Sequence, residues 1–491
     1  MSGAGWSRVG EQVWSARTWE LLGNSLALVF AVTLTAVAVG STQAFFVVKT
    51  DLRFRQMFAM LAVFPLAIPS YVAAYTWLAA FPGFQGFGAA WLVLSMGTAP
   101  YVFLAVSAAL LLVDSSLEEV ARSLGRGQWG VVRSVVWPAA RPAAVGAALV
   151  VALYTLSDFG AVSLLRFDTF TRGIFNAYRS SFDRTSAAVL GLIVVVASVS
   201  LVLLQRRLAP TVNSTAKSRR RTPLRLESGR AAAYAVLLAI AAVGVGVPLS
   251  SLVRWSALGV AEADWAAIGR ALLNTGLLAL SSAAVASVVA LGVALVVYRY
   301  QPRWAAAVDW AVWIGHALPG VVVALAFVFV SNSLLPGLYQ TSLLVVIAYT
   351  ALFTPNAVAA LSTPIRQLPT ALDDVARTLG ARPLGVLGRV LLPALRPALV
   401  TSASLLALTV IKELPATLLL RPTGIETLAT RLWTQTSISA FSSAAPYALL
   451  LVLLAGVPAL LLNQQVRRNF APAADSAGQV ATEAGAMEAR R

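Results

Sequence analysis

The chain has 491 residues, of which 58% are hydrophobic and only 12% are charged, with a formal net charge of +17 and a mean hydropathy of +0.78. Soluble domains carry about 25% charged residues, so this composition excludes an ordinary soluble protein and indicates a chain that folds in lipid. The sequence contains no cysteine, which excludes disulfide bonds and thiolate metal sites.

The predicted elements are membrane-spanning helices that follow one another along the chain. Residues 21–48, the first such run, contain no Asp, Glu, Lys or Arg, and about 20 apolar residues suffice to cross a bilayer core. Two longer segments, 56–113 and 310–365, are each interrupted by a turn-like stretch, so each is predicted to form two spans. The pattern therefore predicts an all-α membrane protein, a polytopic helical bundle of about 11 transmembrane helices. The predicted spans are 21–48, 56–80, 89–113, 143–157, 186–205, 231–253, 271–297, 310–330, 341–365, 398–411 and 443–462.

The segments outside these spans have their own character. Residues 1–20 lack the apolar core and small-residue cleavage site of a signal peptide, and we expect them to form a short external segment. Residues 206–230 are strongly basic and are predicted to be a cytoplasmic linker, whereas residues 467–491 are expected to be a disordered cytoplasmic tail. Positive charges gather in loops on one side of the predicted spans, as cytoplasmic loops do. Membrane topology thus accounts for the net charge, and no nucleic-acid partner is expected.

One charged segment occurs twice in the sequence. "EEVARSLGRGQWGVVRSVVWPAARPA" begins at Glu118, and "DDVARTLGARPLGVLGRVLLPALRPA" begins at Asp373. Similarity extends into the flanking spans, which predicts two repeats, 21–205 and 231–466, with the same membrane orientation. Parallel repeats of this kind pack around an axis along the membrane normal, with the substrate route between them.

Each copy of the charged segment predicts two short helices with a glycine between them. Gly125 and Gly380 stand where a left-handed residue would end the first helix. The second helix is expected to end just before Pro138 or Pro393, with Pro142 or Pro397 in the first turn of the following span. Two such projections would suit a two-fold symmetric partner. The alternative is an amphipathic loop that only connects two spans.

The spacing of these residues resembles the "EAA" cytoplasmic loop of the membrane subunits of ABC importers. The matching stretches are "EVA" at Glu119 with Gly125 and Pro138, and "DVA" at Asp374 with Gly380 and Pro393. The resemblance implies two halves of a type I importer permease, whose loops 114–138 and 369–393 dock into grooves on a separate ATPase. We call these segments coupling loop 1 and coupling loop 2. The ATPase-coupling residues that it implies are Glu118, Glu119, Ala121, Arg122, Gly125, Pro138, Asp373, Asp374, Ala376, Arg377, Gly380 and Pro393.

The same resemblance implies the partners. Two copies of a cytoplasmic ABC ATPase and an external or periplasmic solute-binding protein would assemble with this chain in a bacterial plasma (inner) membrane, which it would cross several times. The sequence has no G-x-x-x-x-G-K-[ST] phosphate loop, so ATP and Mg²⁺ are expected in the partner ATPase. We expect no cofactor on this chain and no enzymatic activity of its own. A transporter driven by an ion gradient is the alternative from another class, but it would need charged residues within the spans, where there are almost none.

The substrate is indicated by two further stretches. Residues 156–178 and 411–433 are most similar to the iron(III) branch of these importers, and import of thiamine or a phosphonate-type solute remains open. Asp158 and Glu413 occupy matching positions in them, and carboxylate oxygens suit a hard cation such as Fe³⁺, which makes them weak metal-site candidates. Alternatively, they pair with Arg166 and Arg421, or with Lys412. In either case these residues are candidates for the substrate path or the outer gate.

Overall fold

The computed structural model describes residues 9–179, 183–208, 224, 226, 229–259 and 263–470, with the backbone alone for 457–470. Most of the predicted linker 206–230, nearly all of the tail 467–491 and the first part of the segment 1–20 lie outside the described residues. Those predictions therefore stay predictions.

Helices account for nearly all of the described chain, which confirms an all-α membrane protein. The first repeat contains α1 (Ala16–Lys49), α2 (Arg55–Val63), α3 (Ser70–Ala80), α4 (Phe87–Leu111), α5 (Ser115–Ser123), α6 (Gln128–Val131), α7 (Trp137–Ser157), α8 (Gly160–Leu164), α9 (Phe170–Arg179) and α10 (Arg184–Leu208). The second contains α11 (Arg230–Ala241), α12 (Val247–Gly259), α13 (Trp265–Leu295), α14 (Ala305–Ala317), α15 (Gly320–Leu334), α16 (Ser342–Gln367), α17 (Ala371–Thr378), α18 (Pro383–Val386), α19 (Leu392–Ile411), α20 (Pro415–Leu420), α21 (Leu428–Ser437) and α22 (Phe441–Phe470).

The number of spans is close to the predicted number but does not confirm it. The described residues contain 8 helices that are long and apolar enough to cross a membrane, or up to 10 spans if each of two bent pairs counts as one. The last predicted span, 443–462, falls in α22, of which Phe441–Gly456 qualifies only as a shorter apolar helix.

Two spans that the sequence predicts as continuous are broken. Arg55–Ala67 and Ser70–Ala80 meet at 98°, and Ala305–Ala317 and Gly320–Leu334 meet at 106°. Each break contains a proline, Pro69 or Pro319, which serves as the N-cap of the second helix. The residue before a proline is driven into extended conformation, and Ile68 and Leu318 have ψ angles of 116° and 126°. The two breaks occupy matching positions in the two repeats, roughly halfway along each span.

The repeats interlock through their last helices. The end of α10 reaches the second repeat, where Arg206 bonds Asp309 at 2.7 Å and lies over the Trp313 ring. In return, α22 packs on the first repeat, and Tyr75 donates a hydrogen bond to the Phe441 carbonyl at 2.8 Å. Each repeat therefore stabilises the other, and the interface between them lies at the centre of the bundle.

Candidate functional site

The two coupling loops have the same local structure. Coupling loop 1 contains α5, α6 and a π-helical turn, Val132–Val136, that continues directly into α7. Coupling loop 2 contains α17, α18 and the π-helical turn Leu387–Leu391, which continues into α19. Pro138 and Pro393 lie in the first turn of those spans, where a missing N–H is harmless. A π turn widens a helix by one residue and often occurs at functional positions.

A glycine in the left-handed conformation ends the first helix of each loop. Gly125 has φ 80° and Gly380 has φ 81°. The Gly125 N–H donates to the Arg122 carbonyl at 2.9 Å, and the Gly380 N–H donates to the Arg377 carbonyl at 2.9 Å. A Cβ atom at either position would meet nothing within 4 Å, so glycine is favoured by the backbone conformation and not by lack of space.

The outer faces of the loops are apolar and exposed. Leu124 is 74% exposed and Trp129 69% in coupling loop 1, whereas Leu379 is 82% exposed and Leu384 81% in coupling loop 2. The acidic residues of the EAA-like motif, Glu119 and Asp374, are exposed on the same helices, as are Arg122 and Arg377. Large apolar side chains that project from a membrane protein into water mark a surface that a partner covers.

The inner faces of the loops are held by buried ion pairs. In coupling loop 1, Lys49 at the end of α1 donates to a carboxylate oxygen of Glu118 at 2.5 Å, and Arg122 lies 3.7 Å from the other oxygen. In coupling loop 2, Arg299 donates to both oxygens of Asp373, at 2.8 and 3.0 Å. We call Lys49–Glu118 and Arg299–Asp373 the anchor pairs. Ala121 and Ala376, one turn further along each helix, are also buried against the bundle.

The sequence identified only half of each anchor pair. Glu118 and Asp373 were candidates because they begin the repeated segment, but Lys49 and Arg299 lie in other loops and were not singled out. A signal existed, since both are basic residues at the ends of matching long helices, α1 and α13 with its extension Val296–Tyr300. The matching positions of Lys49 and Arg299 become apparent only when the two repeats are compared.

Asp158 and Glu413 lie at the ends of α7 and α19, beside the two helix breaks. An oxygen of Asp158 accepts hydrogen bonds from the N–H groups of Ala161 and Val162, at 3.0 and 3.3 Å, which caps α8. The same carboxylate is hydrogen-bonded to the Ser70 side chain at the start of α3. Because Ser70 follows the first break, this places Asp158 near the middle of the bundle.

Glu413 repeats the arrangement in the second half. One of its oxygens accepts the N–H of Ala416 at 3.1 Å and thereby caps α20. That oxygen lies 2.7 Å from where a Cβ atom of Gly320 would be, at the start of α15 after the second break. The first repeat has a shorter acid and a serine, and the second has a longer acid and a glycine. The two carboxylates therefore reach equivalent positions by complementary changes of side-chain length.

The arginines proposed as partners are elsewhere. Arg421 bonds Glu426 at 3.3 Å and the Ile425 carbonyl at 3.1 Å. Within the part of the chain that the structure describes, neither Asp158 nor Glu413 forms an ion pair with an arginine. The interpretation of these residues as two outer ion pairs is therefore replaced by two buried carboxylates that cap short helices beside the breaks.

Comparison with known proteins points to one family. The sequence model described as "Binding-protein-dependent transport system inner membrane component" matches residues 36–214 and 284–470, one range for each repeat. The Fe(3+)-transport system permease protein FbpB 2 of Haemophilus influenzae is 31% identical over 94% of this chain and 92% of its own length. The ferric transport system permease protein FbpB of Actinobacillus pleuropneumoniae is 22% identical over 78% of this chain and 62% of its own length. A putative 2-aminoethylphosphonate transport system permease protein of Salmonella typhi is 32% identical, but over only 23% of this chain and 44% of its own length.

Proposed function

Since this chain belongs to the family of binding-protein-dependent transport system inner membrane components, we propose that it imports ferric iron across the plasma (inner) membrane of a bacterium. The assignment of ferric iron as the substrate rests on the relative named as an Fe(3+)-transport permease. Its similarity to this chain extends over 94% of the chain and includes both repeats. The similarity to the aminoethylphosphonate permease is confined to 23% of the chain, which makes a phosphonate-type solute the weaker candidate.

The proposed mechanism divides the work among subunits. An external binding protein delivers iron to the outer face, and two copies of a cytoplasmic ATPase hydrolyse ATP with Mg²⁺. The two coupling loops project exposed leucines and Trp129 from the other face and would dock into one ATPase subunit each. This chain binds no nucleotide in this scheme and is not itself an enzyme. Its part is to convert movement of the coupling loops into opening of the path between the repeats.

Rigid attachment of the loops supports that role. A loop that moved independently of the bundle could not transmit force, whereas each anchor pair fixes a coupling helix to the end of a long helix, α1 or α13 with its extension Val296–Tyr300. The π turns after α6 and α18 then carry the loop into α7 and α19, which end near Asp158 and Glu413. A continuous helical connection thus runs from the exposed loop surface to the centre of the bundle.

Uptake by a reconstituted complex tests the proposal. The permease, its ATPase and its binding protein would be placed in proteoliposomes and offered radioactive ferric iron or radioactive 2-aminoethylphosphonate, with ATP inside. We expect ATP-dependent accumulation of iron and none of the phosphonate. Accumulation of the phosphonate without iron would assign the chain to the other branch, and iron uptake without ATP would contradict the importer mechanism.

A further inference from the structure

Two short helices, α9 and α21, lie in the half of the bundle that is farther from the coupling loops. At the start of α9, the Phe170 N–H donates to the Ser25 hydroxyl at 3.1 Å. At the start of α21, the Leu428 N–H donates to the Thr275 hydroxyl at 2.9 Å. Ser25 on α1 and Thr275 on α13 each lie about 35 Å along their helix from the basic residue of the anchor pair, at 1.5 Å per residue. Each repeat therefore holds its short helix at the same place by the same contact.

A second contact joins each short helix to the same long helix. Asp168, just before α9, forms an ion pair with Arg17 on α1 at 2.6 Å. The Glu426 carbonyl, just before α21, accepts a hydrogen bond from the Asn274 side chain on α13 at 3.0 Å. The start of α9 is thus attached to α1, and the start of α21 is attached to α13.

Three aromatic rings join the two short helices across the interface between the repeats. The centroid of the Phe159 ring lies 4.8 Å from that of Phe175 on α9 and 5.3 Å from that of Trp433 on α21. The Phe175 and Trp433 centroids are 6.5 Å apart. Arg179, at the end of α9, also donates to the Leu418 carbonyl of the second repeat at 3.3 Å. We call Phe159, Phe175 and Trp433 the outer aromatic cluster.

The chemistry of this cluster suits a seal between the repeats. Phe159 is 2% exposed, and Phe175 and Trp433 are half-buried. A polar contact also joins the repeats, at the first break, where the Lys412 Nζ donates to the Leu66 carbonyl at 3.1 Å. An apolar constriction excludes hydrated ions by excluding water, which a polar contact does not. The rings are therefore the part of this interface that can close the path to ions.

We propose that the outer aromatic cluster is the outer gate of the substrate path, and that α1 and α13 connect this gate to the coupling loops. Each of these long helices is joined to a coupling loop by its anchor pair at one end and to a short helix at the other. A movement of the repeats that follows the coupling loops therefore separates the rings. The inference rests on the proposed function, because an importer must close its outer side while its inner side is open.

Cross-linking between the repeats tests whether the rings must separate. Phe175→Cys with Trp433→Cys, in this cysteine-free chain, would be joined by a bismethanethiosulfonate reagent in proteoliposomes that contain the complete permease–ATPase complex. We expect the cross-link to stop iron uptake and the stimulation of ATP hydrolysis by loaded binding protein, and we expect reduction to restore both. The control is Phe87→Cys with Phe167→Cys, whose rings lie 5.5 Å apart within the first repeat. That cross-link should change neither activity.

An ion leak tests the seal without any transported solute. The probe is Tl⁺, added outside proteoliposomes that contain the complex and a trapped Tl⁺-sensitive dye, without ATP. In Trp433→Ala, we expect Tl⁺ entry at least about tenfold faster than in the unaltered complex, because the apolar constriction is lost. Trp433→Phe keeps a ring at this position and should remain tight. Phe87→Ala, outside the cluster, should also remain tight.

Two results would overturn the proposal. One is iron uptake that continues after complete cross-linking between the repeats, and the other is an assembled Trp433→Ala complex that admits no more Tl⁺ than Phe87→Ala. If the complex imports 2-aminoethylphosphonate and no iron, the proposed function is wrong, and Tl⁺ entry still tests the gate. If iron uptake is normal and Trp433→Ala is tight, the gate is wrong and the proposed function stands.

Discussion

The two coupling loops have the same backbone, but they are anchored by different chemistry. The anchor of coupling loop 2 is a guanidinium group that bonds both oxygens of Asp373 and also the carbonyls of Leu368 and Pro369, at 2.5 and 2.9 Å. The anchor of coupling loop 1 is a lysine, a single point charge, that bonds one oxygen of Glu118. A planar fork fixes direction as well as distance, which an ammonium group does not. Arg299 therefore fixes the orientation of coupling loop 2, whereas Lys49 fixes only the position of coupling loop 1.

Coupling loop 1 has an additional support, which compensates for the weaker anchoring by Lys49. Directly after Lys49, the chain pairs with part of the linker: the Leu224 N–H donates to the Lys49 carbonyl at 2.8 Å, and the Asp51 N–H donates to the Leu224 carbonyl at 3.2 Å. Leu224 is buried, and Arg230 forms an ion pair with Asp51. The linker that joins the repeats thus braces the anchor of coupling loop 1. The comparison shows that two coupling loops with the same backbone can be held against the bundle by different contacts.

Removing the basic member of an anchor pair should have the largest effect. In Arg299→Ala the buried Asp373 carboxylate loses its basic partner, which costs about 3–5 kcal/mol. In Lys49→Ala the buried Glu118 keeps only Arg122, 3.7 Å from one of its oxygens, so a smaller loss is expected there. We expect the loop concerned to detach from the bundle, so that loaded binding protein no longer stimulates ATP hydrolysis. The measurement is stimulated ATPase activity of the reconstituted complex, with Arg382→Ala, in coupling loop 2 outside the anchor pair, as the control. Adding Asp373→Asn to Arg299→Ala should restore part of the stimulation, and full stimulation in either single variant would show that the anchors are dispensable.

Exchanging lysine and arginine at the two anchor pairs should affect the two coupling loops differently. Arg299→Lys loses one of two carboxylate bonds and the bonds to two carbonyls, a cost of about 1.5–3 kcal/mol. Lys49→Arg keeps the charge and gains donors, so it should be nearly neutral. Thermal unfolding of the complex and stimulated ATP hydrolysis would both report the difference. Equal effects of the two exchanges would mean that the fork at Arg299 contributes no more than its charge.

Substitution of the left-handed glycines should affect the two loops alike. Gly125→Ala and Gly380→Ala each force a side chain into the left-handed region, at a cost of about 1–2 kcal/mol, with no steric contact to add. We expect equal and moderate losses of stimulated ATP hydrolysis, and larger losses with Val. Gly388→Ala, at a glycine of coupling loop 2 with open space around it, serves as the control. A difference between the two Ala variants would show that the loops are not equivalent at their docking surfaces.

The smallest effect should come from the linker contact. Arg230 bonds the Asp51 carboxylate and thereby lowers the pKa of Asp51 below its usual value of 3.8. A carboxylate whose pKa is lowered on folding stabilises the folded state above pH 3.8, and this contribution disappears as the pH falls through the folded-state pKa. Asp51→Asn should therefore reduce thermal stability slightly at neutral pH and make no difference in strong acid. Because the Arg230 side chain is 53% exposed, high salt should also weaken the effect, and an effect that is unchanged in high salt would contradict this assignment.

The sequence predicted the fold class and both coupling loops, because apolar length and a repeated charged segment are properties of the chain itself. It failed at the helix breaks, since the apolar run 56–80 contains no charged residue near Pro69 to mark an end. Asp158 does lie at the end of its span, as the C-cap of α7, but the break that brings Ser70 to it was not foreseen. Contacts between distant segments, such as Arg299 with Asp373, left no pattern that one sequence could reveal.

Coupling between ATP hydrolysis and transport can be measured directly as the number of iron ions imported per ATP hydrolysed. In proteoliposomes that contain the permease, its ATPase and loaded binding protein, we predict a fixed ratio for the unaltered chain. The ratio should fall toward zero when Lys49 and Arg299 are both replaced by alanine, because the loops no longer move the bundle while the ATPase still hydrolyses ATP at its basal rate. An unchanged ratio in that variant would contradict the account that anchored coupling loops drive the opening between the repeats.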